Sequence, residues 1–195
     1  MVGMALSLPI SAQENYSEKQ RKEFAKTAEK EAKSVVKVLE KEKWVFNGVG
    51  TLQGAYTRYL LQSSEYGGVY TLSSYEINNA PNLRNGEKSL MNMAQSSYAQ
   101  ENEAYLISEQ KAHSGEVDIT LEDNVIKALA QFNGDVKRSF IIHRKNGNGT
   151  YDMRGYFLVD SDNTRSKLRK LAQSLAEEHS MGDDIVKRVL NNDGD

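Results

Sequence analysis

The three histidines are the residues whose chemistry is most easily tested from spacing, because imidazole ligates metals and exchanges protons near neutral pH. They are His113, His143 and His179. No two of them lie three or four residues apart, which is the spacing that places two ligands on one face of a helix. His113 has Glu116 and Asp118 downstream, but a cationic imidazole near a predicted helix end is favoured without a metal. The spacing therefore predicts no metal site.

The chain also lacks the usual patterns of nucleophilic catalysis and phosphate binding. It contains no Cys, which excludes a thiolate nucleophile and a zinc–thiolate site, and no Ser lies in a G-x-S-x-G elbow. Asn148 and Gly149 fit a hairpin turn rather than a phosphate-binding loop, since no helix and no Walker Lys follow them. His143 is expected on an exposed strand face. The sequence predicts no catalytic residue and no cofactor, and it favours a protein that is not an enzyme.

Glu101 is the carboxylate with the most unusual predicted position. It lies in the middle of a long predicted helix, in a row of small side chains. If that row faced a sheet, the carboxylate would need a partner such as Arg138 or Arg154, or its pKa would rise. The interpretation we favour is a boundary position from which Glu101 reaches solvent.

The tyrosines form a second candidate set, because a Tyr side chain combines a large apolar surface with a polar tip. They could line a groove that binds a sugar or a peptide, or they could pack in and around the core, which is the interpretation we favour. The residues in question are Tyr56, Tyr59, Tyr66, Tyr70, Tyr75, Tyr98 and Tyr105.

These side chains must be positioned by a long helix predicted from Asn85 to Gly115. Between the predicted turn at Asn85–Gly86 and Gly115 there is no Pro and no further Gly, and the stretch is rich in good helix formers. We expect its row of small side chains to lie against a sheet; the row consists of Leu90, Ala94, Ser97, Glu101, Ala104 and Ser108.

The remaining segments predict an α+β fold of two layers. In it the long helix packs on a small antiparallel sheet of about three main strands, with flanking helices. Ser17 and Thr51 are the expected helix caps. The clearest β pattern is a hairpin whose turn is Asn146–Gly149. The predicted helices are 17–42, 51–63, 121–132, 160–179 and 183–190, and the predicted strands are 43–48, 69–77, 136–143 and 151–159.

The first thirteen residues have a different composition from the rest. Met1–Ile10 is apolar and is followed by small residues, as in the hydrophobic and cleavage regions of a secretion signal whose basic start is missing. We therefore expect residues 1–13 to be a truncated signal and residues 14–195 to form a single domain. The apolar run is about half of the ~20 residues that span a membrane.

The charge balance bears on partners. The chain has 25 basic and 27 acidic residues and a formal net charge of -2. Nucleic-acid binding usually requires a basic patch and a high isoelectric point, so no nucleic-acid partner is expected.

Three segments carry a resemblance to a known group of proteins. Ala25–Tyr59 holds a Lys/Ala-rich helix, a Trp just after it, a Gly-Leu turn and a Tyr in the next helix, and Gly86–Ala112 and Tyr151–Val159 follow. The chain resembles uncharacterised exported proteins of Gram-negative anaerobes, of the LPP-twenty lipoprotein type, over most of its length. It lacks the Cys that anchors the lipid. The resemblance implies an α+β fold and an envelope location, and it brings no catalytic residues.

These observations leave two hypotheses of function. The first is an exported, periplasmic or outer-membrane-associated protein that is not an enzyme and acts by contact with an unknown protein or envelope partner. The alternative is a small ligand-binding protein or hydrolase that uses a Tyr-lined cleft with scattered carboxylates.

Overall fold

The computed structural model describes residues 16–114 and 136–160. In chain order, the elements are α1 (Glu18–Lys41), β1 (Val45–Phe46), α2 (Leu52–Leu61), a 3₁₀ turn (Ser64–Tyr66), β2 (Thr71–Ala80), α3 (Leu83–Ser114), β3 (Val136–Lys145) and β4 (Tyr151–Val159). Among these residues no helix has the length and apolar composition needed to cross a membrane. The predicted signal (1–13) and the predicted helices 121–132, 160–179 and 183–190 lie outside the described residues.

Both predicted helix caps are confirmed. Ser17 and Gln20 form a reciprocal capping box: the Gln20 amide donates to Ser17 Oγ at 3.3 Å, and the Ser17 amide donates to Gln20 Oε1 at 2.9 Å. At the start of α2, the Gly54 amide donates to Thr51 Oγ1 at 3.0 Å. Such caps satisfy amides that have no partner within the helix, and each stabilises by about 1 kcal/mol.

The sheet has four antiparallel strands in the order β1-β3-β4-β2. Three strands are long and β1 has only two residues, so the prediction of about three main strands holds. The predicted hairpin between β3 and β4 is confirmed. It closes where the Asn146 amide donates to the Thr150 carbonyl at 2.8 Å, and Gly149 takes the positive φ of 85° that the turn requires.

Helices cover both faces of the sheet. The first turns of α3 pack on one face, where Leu90 is fully buried and lies close to Gly155 of β4. On the other face, α1 and α2 share a core cluster with Tyr156 and Leu158 of β4. The α+β fold with a long helix packed on a small antiparallel sheet is confirmed. The flanking helices add a layer to the two that were predicted, because β4 buries side chains on both faces.

The long helix begins earlier than predicted. It starts at Leu83, so Asn85 and Gly86 lie in its first turn and do not form a separate turn before it. Asn82 caps the start of the helix, since its Oδ1 accepts a hydrogen bond from the Asn85 backbone amide at 2.9 Å. Gly86 is required by packing: a Cβ there would lie 2.0 Å from Met153 Sδ.

The buried row of this helix also differs from the prediction after its first two members. Leu90 and Ala94 are buried as expected, but the row continues with Tyr98, and Glu101 and Ala104 are exposed. The buried positions, which continue to Asn102, lie four residues apart. They therefore drift around the helix by about 40° per step, whereas the predicted row followed the 3.6-residue period.

Strand β2 is longer at its end than predicted. It continues past Ile77 to Ala80, and its pairing with β4 is irregular between these two residues. Asn79 takes a positive φ of 59° there, which Asn tolerates better than most residues. The connection between α2 and β2 contains the 3₁₀ turn.

The described residues belong to two compact units. One contains residues 16–94 and 136–159, and the other contains residues 95–114 and residue 160. Every contact described below lies within the first unit. The single domain expected for residues 14–195 stays a prediction.

Candidate functional site

Within the described part of the chain, His143 is not surrounded by metal ligands or by a nucleophile. It lies on β3, half-buried, with its ring 5.8 Å from that of Tyr151 in an edge-to-face arrangement. Burial lowers the pKa of His143 below its ordinary value, so the ring is neutral at pH 7. The His113 side chain and the whole of His179 lie outside the described residues. Within those residues no three His, Asp or Glu side chains are grouped so that they could hold a metal ion.

Glu101 is exposed, as the favoured interpretation expected. The two arginines considered as its partners are paired with other carboxylates. Arg138 lies 2.8 Å from Glu87, and Arg154 lies 2.5 Å from Glu76. The hypothesis of an inward carboxylate at Glu101 is therefore wrong.

The tyrosines of α2 and β4 pack in the core. Tyr56, Tyr59 and Tyr156 surround Phe140 with ring centroids 4.3–6.0 Å apart, and the Tyr59 hydroxyl donates to the Ser73 carbonyl at 2.8 Å. Burial raises the pKa of Tyr56 to about 12 and raises that of Tyr59 as well, so both remain protonated donors. None of the described tyrosines lines the cleft described next, and the side chain of Tyr105 lies outside the described residues.

An open cleft runs along the outer edge of β3. Strand β1 covers this edge only at Ile142 and His143. Among the described residues no strand lies beside β3 from Val136 to Ile141 on that side. The gap forms a cleft of about 650 Å³. Since edge strands present unpaired N–H and C=O groups, this segment is suited to pairing with another chain.

The cleft exists because the chain leaves the sheet after Phe46. Gly48 lies directly over the Phe46 ring, where a Cβ would be 2.1 Å from Cζ, and Gly50 takes a positive φ of 88°. At these two glycines the chain turns away from β3, and Val49 between them is 92% exposed to solvent. The loop Phe46–Val49 thus forms one wall of the cleft and the edge of β3 forms the other.

The rest of the cleft is formed by the two helices nearest the edge. Ala55, Arg58 and Gln62 of α2 lie on one side, and Leu83 and Glu87 of α3 lie on the other. The lining therefore mixes apolar with polar and charged side chains.

The charges that line the cleft are mostly positive. Arg138 is paired with Glu87, and the Lys137 ammonium donates to the Tyr70 hydroxyl at 3.1 Å. Arg58 is exposed, and no carboxylate among the described residues pairs with it. The cleft therefore favours acidic groups, although the chain as a whole carries a charge of -2.

A cluster around Trp44 holds the sheet in position beside this edge. The Arg144 and Arg154 guanidinium groups lie 4.8 and 4.9 Å from the centre of the Trp44 ring, which is cation–π distance. The indole Nε1 donates to Glu42 at 3.1 Å. This cluster fixes the segment before β1 against β3 and β4, and so fixes where β1 begins.

Sequence reasoning missed both the cleft and the Trp44 cluster. The available signal for the cleft was the shortness of the apolar run 44–46 before Gly48 and Gly50. The available signal for the Trp44 cluster was the hairpin register, which places Arg144 of β3 and Arg154 of β4 on the same face of the sheet.

Comparison of the chain with protein-family models, with curated proteins and with solved structures gives no match. The resemblance to exported envelope proteins therefore stays a prediction.

Proposed function

We propose that this protein is an exported, non-enzymatic module that binds another protein of the cell envelope through the cleft along β3. The observation that carries the proposal is the edge of β3 from Val136 to Ile141, beside which no strand lies within residues 16–114 and 136–160. An edge of this kind binds protein segments through main-chain hydrogen bonds, with no need for a catalytic group.

Exposed apolar side chains beside the cleft support this proposal. Val49 is 92% exposed and Val45 is 48% exposed, and Val49 lines the cleft. Isolated apolar residues on a surface are ordinary. Here, however, Val45 and Val49 lie beside a strand edge that is unpaired among the described residues, and a bound protein would cover the two side chains together with the edge.

A photocrosslinking amino acid placed at Val49 tests the contact. The matched control is Val38 on α1, which is 54% exposed and does not line the cleft. We expect one discrete adduct from position 49 and none from position 38. The partner, identified by mass spectrometry and then purified, should bind the native chain directly. Equal adducts from both positions, or no binding of the purified partner, would contradict the proposal.

Export is a separate part of the proposal and has its own test. It rests on the apolar segment Met1–Ile10 and the small residues after it. Fractionation of the source cells should place the chain in the periplasmic or envelope fraction, with a processed N-terminus. A chain found only in the cytoplasm would contradict export but would leave the cleft and its partner open to the crosslinking test.

A further inference from the structure

We infer that the occupant of the cleft is an extended, acidic segment of the partner protein, added to β3 as a fifth strand of the sheet. This inference rests on the proposed function, because it takes the cleft to be the site of protein contact. It adds the conformation and the charge of the bound segment, and each follows from a separate observation.

The extended conformation follows from the position of the cleft in the sheet. Beyond Phe46 none of the described residues occupies the place of a neighbouring strand along Lys137–Ile141, and the loop wall lies on the far side of that place. A strand lies ~4.8 Å from its neighbour and rises ~3.4 Å per residue, so roughly five residues fit beside this segment. A helix is about twice as wide as a strand spacing and does not fit such a place.

From Phe140 to Lys145 the main chain of β3 offers hydrogen bonds in the alternating pattern of an antiparallel ladder, and the register with β4 shifts between Arg138 and Phe140. The hairpin closes between Asn146 and Thr150. Alternation from that pair directs the N–H and C=O of Phe140 and Ile142 toward β4, and those of Ile141 and His143 toward the outer edge. Val45 of β1 stands opposite His143. Ile141 is therefore the next outward-facing residue that a bound strand would use.

The acidic character follows from Arg58. It lines the cleft, is exposed and has no carboxylate partner among the described residues. Lys137 lines the same cleft, while Glu87 is already paired with Arg138. A carboxylate of the bound segment would pair with the Arg58 guanidinium, and a Lys or Arg there would be repelled.

The experiment begins with selection of displayed random heptapeptides on the full chain, with depletion on the Arg58→Glu variant. We expect the selected peptides to carry Asp or Glu and alternating apolar residues, and to bind Arg58→Glu at least tenfold more weakly in fluorescence anisotropy. Arg58→Gln should be intermediate. The control Lys33→Glu also reverses an exposed charge, on α1 and away from the cleft, and should bind as the native chain does.

A second measurement separates strand addition from simple charge attraction. The best peptide is made with N-methyl groups on its odd-numbered amides and, separately, on its even-numbered amides. A bound strand directs alternate amides to its neighbour. One series should therefore lose at least tenfold in affinity, and the other should change little. Equal behaviour of the two series would overturn strand addition.

The remaining outcomes also decide the matter. Selected peptides that are basic, or that bind Arg58→Glu equally well, would overturn the acidic segment. If the chain forms dimers that Arg58→Glu abolishes, measured by sedimentation, the occupant is a second copy and the inference is wrong. A crosslinked partner at Val49 combined with any of these results would leave the proposed function standing and remove only the inference.

Discussion

At the scale of single residues, Asp152 organises the end of the β3–β4 hairpin. Its carboxylate accepts hydrogen bonds from the Asn146 side chain at 2.8 Å, the Arg144 guanidinium at 3.0 Å and the Asn79 backbone amide at 3.1 Å. Asn79 is the positive-φ residue of β2. One carboxylate thus ties the turn, β3 and the irregular end of β2 together, and it is buried within this network.

These contacts make Asp152 a source of pH-dependent stability. The hydrogen bond from the Asn146 side chain lowers the pKa of Asp152 most, followed by those from the Asn79 backbone amide and the Arg144 side chain. Together they outweigh the effect of burial and hold the pKa of Asp152 below its ordinary value of 3.8. As pH falls through that range, the unfolded chain takes up the proton before the folded chain does. The stability that Asp152 contributes is therefore full above the ordinary value and is lost as pH falls through the lowered pKa.

Replacement of Asp152 by Asn tests this role. The new amide group must face one of three donors, so we expect a loss of about 1–3 kcal/mol in the free energy of unfolding at pH 7. The difference from the native chain should shrink as pH falls below the ordinary Asp range. Urea unfolding at a series of pH values measures both effects. Glu40→Gln, an exposed carboxylate on α1, should change stability by less than about 0.5 kcal/mol; equal losses in both variants would refute this role.

His143 gives a second pH-dependent effect with its own range. Burial lowers its pKa, so below the ordinary value of 6.5 the unfolded chain binds a proton that the folded chain does not. Folding should therefore weaken as pH falls from neutral through that value. In His143→Gln this part of the pH dependence should disappear, as measured by thermal unfolding between pH 7.5 and pH 5. An unchanged slope in the variant would show that His143 is not its source.

At the scale of elements, the packing on the face of β4 that α3 covers depends on a glycine. A Cβ at Gly155 would lie 2.7 and 2.9 Å from the Phe157 ring and 3.4 Å from Leu90 Cδ1. The Phe157 side chain is fully buried, so it has no free space into which to move. Close packing of this kind makes even a single added methyl group costly.

Gly155→Ala should therefore lower the free energy of unfolding by roughly 1–3 kcal/mol, because the buried Phe157 ring must shift. The matched control is Gly147→Ala in the hairpin turn, where nothing lies within 4 Å of an added Cβ and φ is not positive. That variant should match the native stability within about 0.5 kcal/mol. Chemical denaturation of the three proteins measures the difference. Equal stability of both variants would show that the Phe157 ring moves aside at little cost.

The same elements show which features the sequence could predict. The hairpin was predictable because its alternation and its Asn-Gly turn are local signals, and the caps at Ser17 and Thr51 are local as well. The start of α3 was not predictable, because an Asn-Gly pair is typical of a turn and the packing of Gly86 against Met153 is not visible in the local sequence. The helical cover on both faces of β4 arises from contacts distant in sequence, which no local pattern encodes. For the cleft, the short apolar run 44–46 predicts only a short strand, and the edge that this strand leaves open is set by its pairing with β3.

At the scale of the whole molecule, the strands of the first compact unit differ in how fully neighbouring elements cover them. β4 lies between β3 and β2 and has helices on both faces. β3 has a neighbour on its outer side only at Ile142 and His143 among the described residues. Amides exchange with solvent according to the free energy of the opening that exposes them. The two strands should therefore differ in protection although they share one hairpin.

Hydrogen exchange followed by NMR or mass spectrometry tests this gradation on the full chain. We expect the amides of 151–159 to be the slowest to exchange, and the outward-facing amides of 136–141 to exchange much faster. The selected acidic peptide should slow exchange in 136–141 and leave 151–159 unchanged, because a bound strand supplies partners only to the edge. If 136–141 were already as protected as 151–159 without peptide, the edge would be covered in the free protein, and the cleft would have no role in binding a partner.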